Sequence, residues 1–187
     1  MIAVPVRKYT IRDNVVGEGS KFIYADVNGR ILCNRIQSMI LPANGVDLEL
    51  STFEDKIIYK EYDSYGNPLE VEVGGVPIVY LWGYDGLYPI AEIKNATYTQ
   101  VSEAVDTLRA ILSNPNLQNS DLAPIQALSK EIFGASVSTY LYKPLVGVTN
   151  TTKETGESMD FEYDGAGRLS RTLRKGNLPL ERYEYQY

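Results

Sequence analysis

Histidine does not occur in the 187 residues, and cysteine occurs once, as Cys33. The missing histidine removes the commonest general base, the side chain that titrates near neutrality and the commonest metal ligand together. One cysteine can close no internal disulfide and builds no Cys/His metal set, so neither a cofactor nor a metal is expected. No apolar run approaches the roughly 20 residues of a spanning helix. Met1 to Thr10 lacks the order of charged, apolar and small residues that marks a signal peptide. Two readings follow, a cytoplasmic protein or a piece of a longer exported chain. Basic charge is short as well. The 18 Lys and Arg stand against 24 Asp and Glu, a net charge of -6, and nucleic-acid surfaces normally show a basic patch. Phe (4) and Trp (1) are scarce beside 15 Tyr. A ring with a polar tip suits half-buried sheet faces, so the composition leans towards β.

Hairpin signals recur along the chain. Phe22–Val27 and Arg30–Ile36 flank Asn28-Gly29, a pair suited to the positive φ angles of a two-residue turn. Cys33 falls in the second strand and reads as a small buried residue. Pro68–Val73 and Val76–Tyr84 flank Gly74-Gly75, and Leu87–Ile93 starts a further strand. Short strands are expected at Ala3–Val6, Tyr9–Ile11, Met39–Leu41, Val46–Leu50 and Ile57–Tyr59, with turns at Asp13-Asn14, Gly17–Ser20 and Pro42–Gly45. After residue 134, strands are expected at Val137–Tyr142, Val146–Thr152, Ser158–Tyr163, Arg168–Arg174 and Leu180–Tyr187. Two helical patterns interrupt the series. Val101, Ala104, Val105, Leu108, Ile111 and Leu112 share one face; Leu122, Ile125, Leu128, Ile132 and Phe133 share another. Thr99 or Ser102 is the expected cap of the first, and Ser120 or Asp121 of the second, with Pro124 in its first turn. The fold expected is mainly β (α+β), successive antiparallel hairpins in a twisted sheet with a two-helix insert around 99–134. One β-rich domain, 1–187, divides into N-terminal strands (1–60), hairpins (61–97), the helical insert (98–134) and hairpins (135–187).

Tyrosines mark a period. Tyr62 and Tyr84 lie 22 residues apart, Tyr142 and Tyr163 lie 21 apart, and Tyr163 and Tyr185 lie 22 apart. Each interval holds one hairpin whose second strand ends in the marker Tyr, as stacked supersecondary units require. At two markers the sequence continues Tyr-Asp-x-x-Gly: Tyr62, Asp63 and Gly66, then Tyr163, Asp164 and Gly167, with Arg168 following. Asp can accept a turn amide and Gly can take a positive φ, and the marker ring is expected to pack on the next unit. These are read as structural joints.

The stretch Tyr163-Asp164-Gly165-Ala166-Gly167-Arg168-Leu169 resembles the YD repeat of the bacterial Rhs/YD-repeat family. Tyr62-Asp63-Ser64-Tyr65-Gly66-Asn67-Pro68-Leu69 is similar, with Asn in place of Arg. Tyr142-Lys143-Pro144-Leu145-Val146-Gly147-Val148-Thr149 looks like the C-terminal region of large Bacteroidetes-type YD-repeat proteins. The resemblance covers about residues 55–95 and 135–187. It implies hairpins spiralling into part of a shell, upstream repeats of the same longer chain as partners, and a secreted or cell-envelope location. The family's Asp-Pro-x-Gly toxin junction is missing, and the helical pair is not part of its repeat.

Three functions follow as expectations. The first is a non-catalytic scaffold segment. The second is a module binding carbohydrate or a surface protein, with Trp82, Tyr84 and Tyr88 as an aromatic platform and Asp85 and Glu92 as acceptors. The third is an enzyme such as a carboxylate-based glycosidase, for which Glu61/Asp63 and Asp160/Glu162 are pairs at strand spacing.

Overall fold

The computed structural model describes residues 4–13, 15–41 and 52–186. Among them, the elements in chain order are β1 Arg7–Arg12, β2 Val15–Val27, β3 Arg30–Leu41, β4 Thr52–Tyr62, β5 Pro68–Val73, β6 Val76–Gly83 and β7 Tyr88–Lys94. Helix α1 Tyr98–Leu112, a 3-10 turn Asn119–Leu122 and helix α2 Ala123–Glu131 follow. The chain returns to strands with β8 Ser136–Lys143, β9 Gly147–Thr152, β10 Ser158–Tyr163, β11 Leu169–Arg174 and β12 Leu178–Arg182. The fold is mainly β, a 12-stranded antiparallel sheet of successive hairpins in which strand order is chain order. Two compact units divide the chain, residues 1–77 and 78–187.

In the first unit, β2 and β3 pair from Ser20↔Ser38 to Val27↔Arg30 around the expected Asn28-Gly29 turn. Three expectations change here. Val4–Val6 is not a strand, and regular pairing begins at Arg7. Gly17–Ser20 is not a turn but lies inside β2. Glycine is tolerated there because the Tyr9 ring, paired opposite Gly19, covers it; a Cβ at Gly19 would sit 2.9 Å from that ring. Cys33 is half-buried rather than buried, and burial still pushes its thiol pKa up. The strand expected at Val46–Leu50 and the turn expected at Pro42–Gly45 lie outside the described residues, as do Ala3, Asn14 and Tyr187.

The core sits in the second unit. Register places Val79 with Ile93, Leu81 with Ala91, Ile93 with Val137 and Ala91 with Thr139 on one face of β6–β8. That face is covered by Val101 and Leu108 of α1, Leu122, and Ile125 and Leu128 of α2, all in one buried cluster. At about 25 cal/mol per Å² of apolar surface, each fully buried aliphatic side chain contributes about 1.5–3 kcal/mol. The helices form where their apolar stripes predict, but their caps differ. Thr97, ahead of both expected residues, caps α1, and its N–H donates to Gln100 Oε1 at 2.9 Å. Gln118 caps the 3-10 turn, with its N–H held by Asp121 Oδ2 at 2.8 Å. Asp121 therefore serves the cap from the third helical position. Helix α2 ends at Glu131, Ile132 is extended, and Phe133 leaves the apolar stripe with 103% exposure. The last described strand ends at Arg182, so Tyr183–Gln186 is not strand. No described helix is long and apolar enough to cross a membrane.

Candidate functional site

The chemistry of each joint is complete within five residues. At Asp164 the backbone N–H donates to the Arg168 carbonyl at 2.8 Å, and the Gly167 N–H donates to the Asp164 carbonyl at 3.0 Å. The carboxylate is spent on the same turn. Its Oδ1 accepts the Ala166 and Arg168 amides, both at 2.9 Å, and its Oδ2 accepts Arg168 Nε at 2.8 Å and faces the same guanidinium at 2.7 Å. Those bonds, the Arg168 amide first, hold the Asp164 pKa below the usual carboxylate range. Asp63 repeats the pattern. Its Oδ1 accepts Tyr65 and Asn67 amides at 2.8 Å, and its Oδ2 accepts Asn67 Nδ2 at 3.0 Å, so Asn67 takes the place of Arg168. Gly66 and Gly167 sit at φ +92° and +76°, where a side chain would be strained.

A third copy of this ring closes at Lys153, which the Tyr-Asp signature does not reveal. Lys153 N–H donates to the Glu157 carbonyl and Gly156 N–H to the Lys153 carbonyl, both at 2.9 Å. Lys153 Nζ meets Glu157 Oε2 at 3.2 Å, so the charges are exchanged relative to Asp164 and Arg168.

The marker tyrosines reach back rather than forward. Tyr62, Tyr142 and Tyr163 each donate the hydroxyl to a carbonyl on the strand before their own, to Cys33, to Pro89 at 3.0 Å and to Val148 at 2.8 Å, and Tyr185, beyond the end of β12, donates to Leu169 of β11 at 2.8 Å. Tyr24, outside the period, donates to the Pro5 carbonyl just ahead of β1 at 3.0 Å. The hydroxyl thus clamps the open end of a strand pair, which corrects the expectation of packing on the next unit. Gly147 fits this device: a Cβ there would run into the Tyr163 hydroxyl and ring. Tyr84 is the exception and bonds across to β8.

The five residues expected to bind a ligand fall in three places. Tyr84 and Tyr88 join Tyr142 in a ring cluster, with centroids 5.6, 6.0 and 4.7 Å apart pairwise. Tyr84 there is only 4% exposed. Trp82 alternates with Leu81, so it shares the opposite sheet face with Tyr80, which pairs with Glu92. Ser138 pairs with Glu92, and Tyr140 lies two residues on. That face therefore carries Tyr80, Trp82, Glu92, Lys94 and Tyr140, with Glu92 bonded to Lys94 at 3.1 Å. Bonding to Glu92 pushes the Lys94 pKa up, and burial pushes that of Tyr140 up. Asp85 is exposed in the intervening turn. Tyr80 and Tyr140 were missed in the sequence, although their two-residue spacing to Trp82 and Tyr142 was visible.

The carboxylate pairs do not behave as pairs. Glu61 is in β4 while Asp63 is in the joint beyond it. Asp160 and Glu162 share a face of β10 but are bonded apart: Asp160 Oδ1 accepts Asn150 Nδ2 at 2.6 Å, and Glu162 takes Arg171 at 2.5 Å. Asn150, 4% exposed, also donates to Ser158 Oγ at 2.9 Å. This polar row lies in a shallow cleft of about 430 Å³ walled by Asn119, Ser120 and Gln126. Among the described residues, no three His, Cys, Asp or Glu side chains come together for a metal ion. No protein-family model matches the chain, and no curated protein matches it.

Proposed function

We propose that the chain is a non-catalytic scaffold segment of a longer, exported YD-repeat-like protein, partnered by upstream repeats of the same chain. The observation that supports this reading is where the joint side chains spend their polar atoms. Asp63 and Asp164 hold their own turns, and the tyrosine hydroxyls hold backbone carbonyls. Such a unit extends a sheet by repetition, because each hairpin is closed at its base before the next begins. An immunoblot of the source cells tests it directly. The scaffold reading expects a band much larger than the 187-residue chain, in the envelope or culture fluid. A cytoplasmic band of this size would sink it, as would glycoside turnover that disappears in Asp160→Asn.

A second reading, a module binding carbohydrate or a surface protein, is supported by the shared face of Tyr80, Trp82 and Tyr140 around Glu92. Aromatic rings beside an acceptor carboxylate suit stacking on an apolar sugar face with hydrogen bonding at its rim. A glycan array probed with the chain and with Trp82→Ala separates the readings. A signal lost in the variant favours the module, and a blank array favours the scaffold.

A further inference from the structure

We propose that Asn28 is a site of spontaneous deamidation and that the Asp26 carboxylate slows the reaction by holding the Gly29 amide proton. Asn28 and Gly29 make the two-residue turn between β2 and β3, closed by the Val27↔Arg30 pair. Their φ angles are 53° and 81°. Both residues are exposed, and among the described residues no heavy atom beyond Asn28 and Arg30 lies within 4 Å of the position a Gly29 Cβ would take. The turn is thus open to water, and the Gly29 nitrogen follows directly on a side-chain amide.

The chemistry is determined by these two residues. The Gly29 backbone nitrogen gives its proton to a solvent base and attacks Cγ of Asn28. A new N–Cγ bond forms, the Cγ–Nδ2 bond breaks, and Nδ2 takes up a proton and leaves as ammonia. The resulting succinimide then adds one water at either of its two carbonyls. Opening gives aspartate or isoaspartate at position 28. One water is consumed, one ammonia is released, and nothing is oxidised or reduced.

Asp26 acts on the first step. The Gly29 N–H donates to Asp26 Oδ1 at 2.7 Å, a short bond to a charged acceptor. The attacking species is the deprotonated nitrogen. A carboxylate bound to that proton opposes its departure, and it would then face a second negative charge at hydrogen-bond distance. The product matters to the fold. Isoaspartate adds a methylene to the main chain inside a turn whose two-residue length sets the register of β2 on β3.

The test incubates the whole chain, Asp26→Ala and Asp26→Asn in parallel, folded and in concentrated urea. Peptide mass spectrometry follows the conversion of Asn28. Asp26→Ala is expected to convert on the order of tenfold faster when folded, the factor that one hydrogen bond to a charged group supplies. Asp26→Asn, which keeps an acceptor oxygen, should fall between it and the parent chain. In urea all three should convert at one rate. Hydrogen exchange at the Val27 and Arg30 amides reports whether the hairpin has loosened. Absence of conversion at Asn28 in every chain overturns the proposal, and so does an unchanged or slower rate in folded Asp26→Ala. It is equally overturned by Asp26→Asn matching Asp26→Ala, by an acceleration that persists in urea, or by one that tracks lost exchange protection.

Discussion

The hydroxyl of Tyr84 satisfies both backbone groups of Tyr142, 58 residues away. It donates to the Tyr142 carbonyl at 3.1 Å and accepts the Tyr142 N–H at 3.0 Å. The β7–β8 ladder runs only from Lys94↔Ser136 to Ala91↔Thr139, so the phenol takes up the role of a neighbouring strand beyond its end. Tyr84 reaches this place from a strained backbone, at φ 52°. A left-handed residue other than glycine costs about 1–2 kcal/mol, which the paired bonds offset.

Tyr84→Phe should therefore lower stability by about 1–3 kcal/mol, because two part-buried backbone groups lose their partner. Urea denaturation measures it. Tyr88→Phe is the control: its hydroxyl accepts the exposed Leu145 amide at 3.1 Å, and its removal should cost less.

Gly147→Ala should destabilise by about 1–3 kcal/mol through overpacking beneath Tyr163. In the Tyr163→Ala background the space is open, and the same substitution should then cost little. Equal costs in both backgrounds, read from a double-mutant cycle, would show that the Tyr163 ring is not what requires glycine there.

Alkaline pH should titrate the half-buried phenol of Tyr142. Burial first, then the neighbouring tyrosines, pushes its pKa up to about 12, from an ordinary value near 10. The folded state thus keeps the proton that the unfolded state loses. This contribution is fully present below about pH 10 and disappears as the pH rises towards about 12. Tyr142→Phe should flatten that part of a stability-versus-pH curve.

Acid acts on the joint in the opposite sense. The Asp164 pKa is depressed in the folded chain, so its contribution is present above the ordinary carboxylate range and is lost as the pH falls through the folded value. Asp164→Asn should lose stability near neutrality and show a weaker acid dependence. Thermal melts across the acid range check this, and an unchanged acid limb would mean that the Arg168 ring contributes nothing to it.

Asp63→Ala should cost about 1 kcal/mol, since it strips the acceptor from the Tyr65 and Asn67 amides of an exposed turn. Hydrogen exchange at those two amides should accelerate together. Exchange that speeds up at neither would show that solvent serves them as well as the carboxylate does.

The sequence by itself determined what is settled within a few residues. Asn28-Gly29 sets a two-residue hairpin, the apolar stripe from Val101 to Leu112 sets a helix, and Tyr-Asp-x-x-Gly sets a ring whose bonds all close between positions 164 and 168. Those features depend on neighbours along the chain, so residue type and spacing carry them. The tertiary structure decided what depends on register and cover. The extra residue of β7, Ile90, sits between the Leu81↔Ala91 and Trp82↔Pro89 pairs, and no residue type announces it. With that register, Trp82 lies opposite the helix-covered face while Tyr84 is drawn under its neighbours to Tyr142. Lys153–Glu157 has no Tyr-Asp mark, yet it closes the same ring, because backbone geometry requires the bonds and only loosely the side chains. Local hydrogen bonding is written in local sequence. Which side of a strand is covered is settled only when α1 and α2 bury one face of β6–β8.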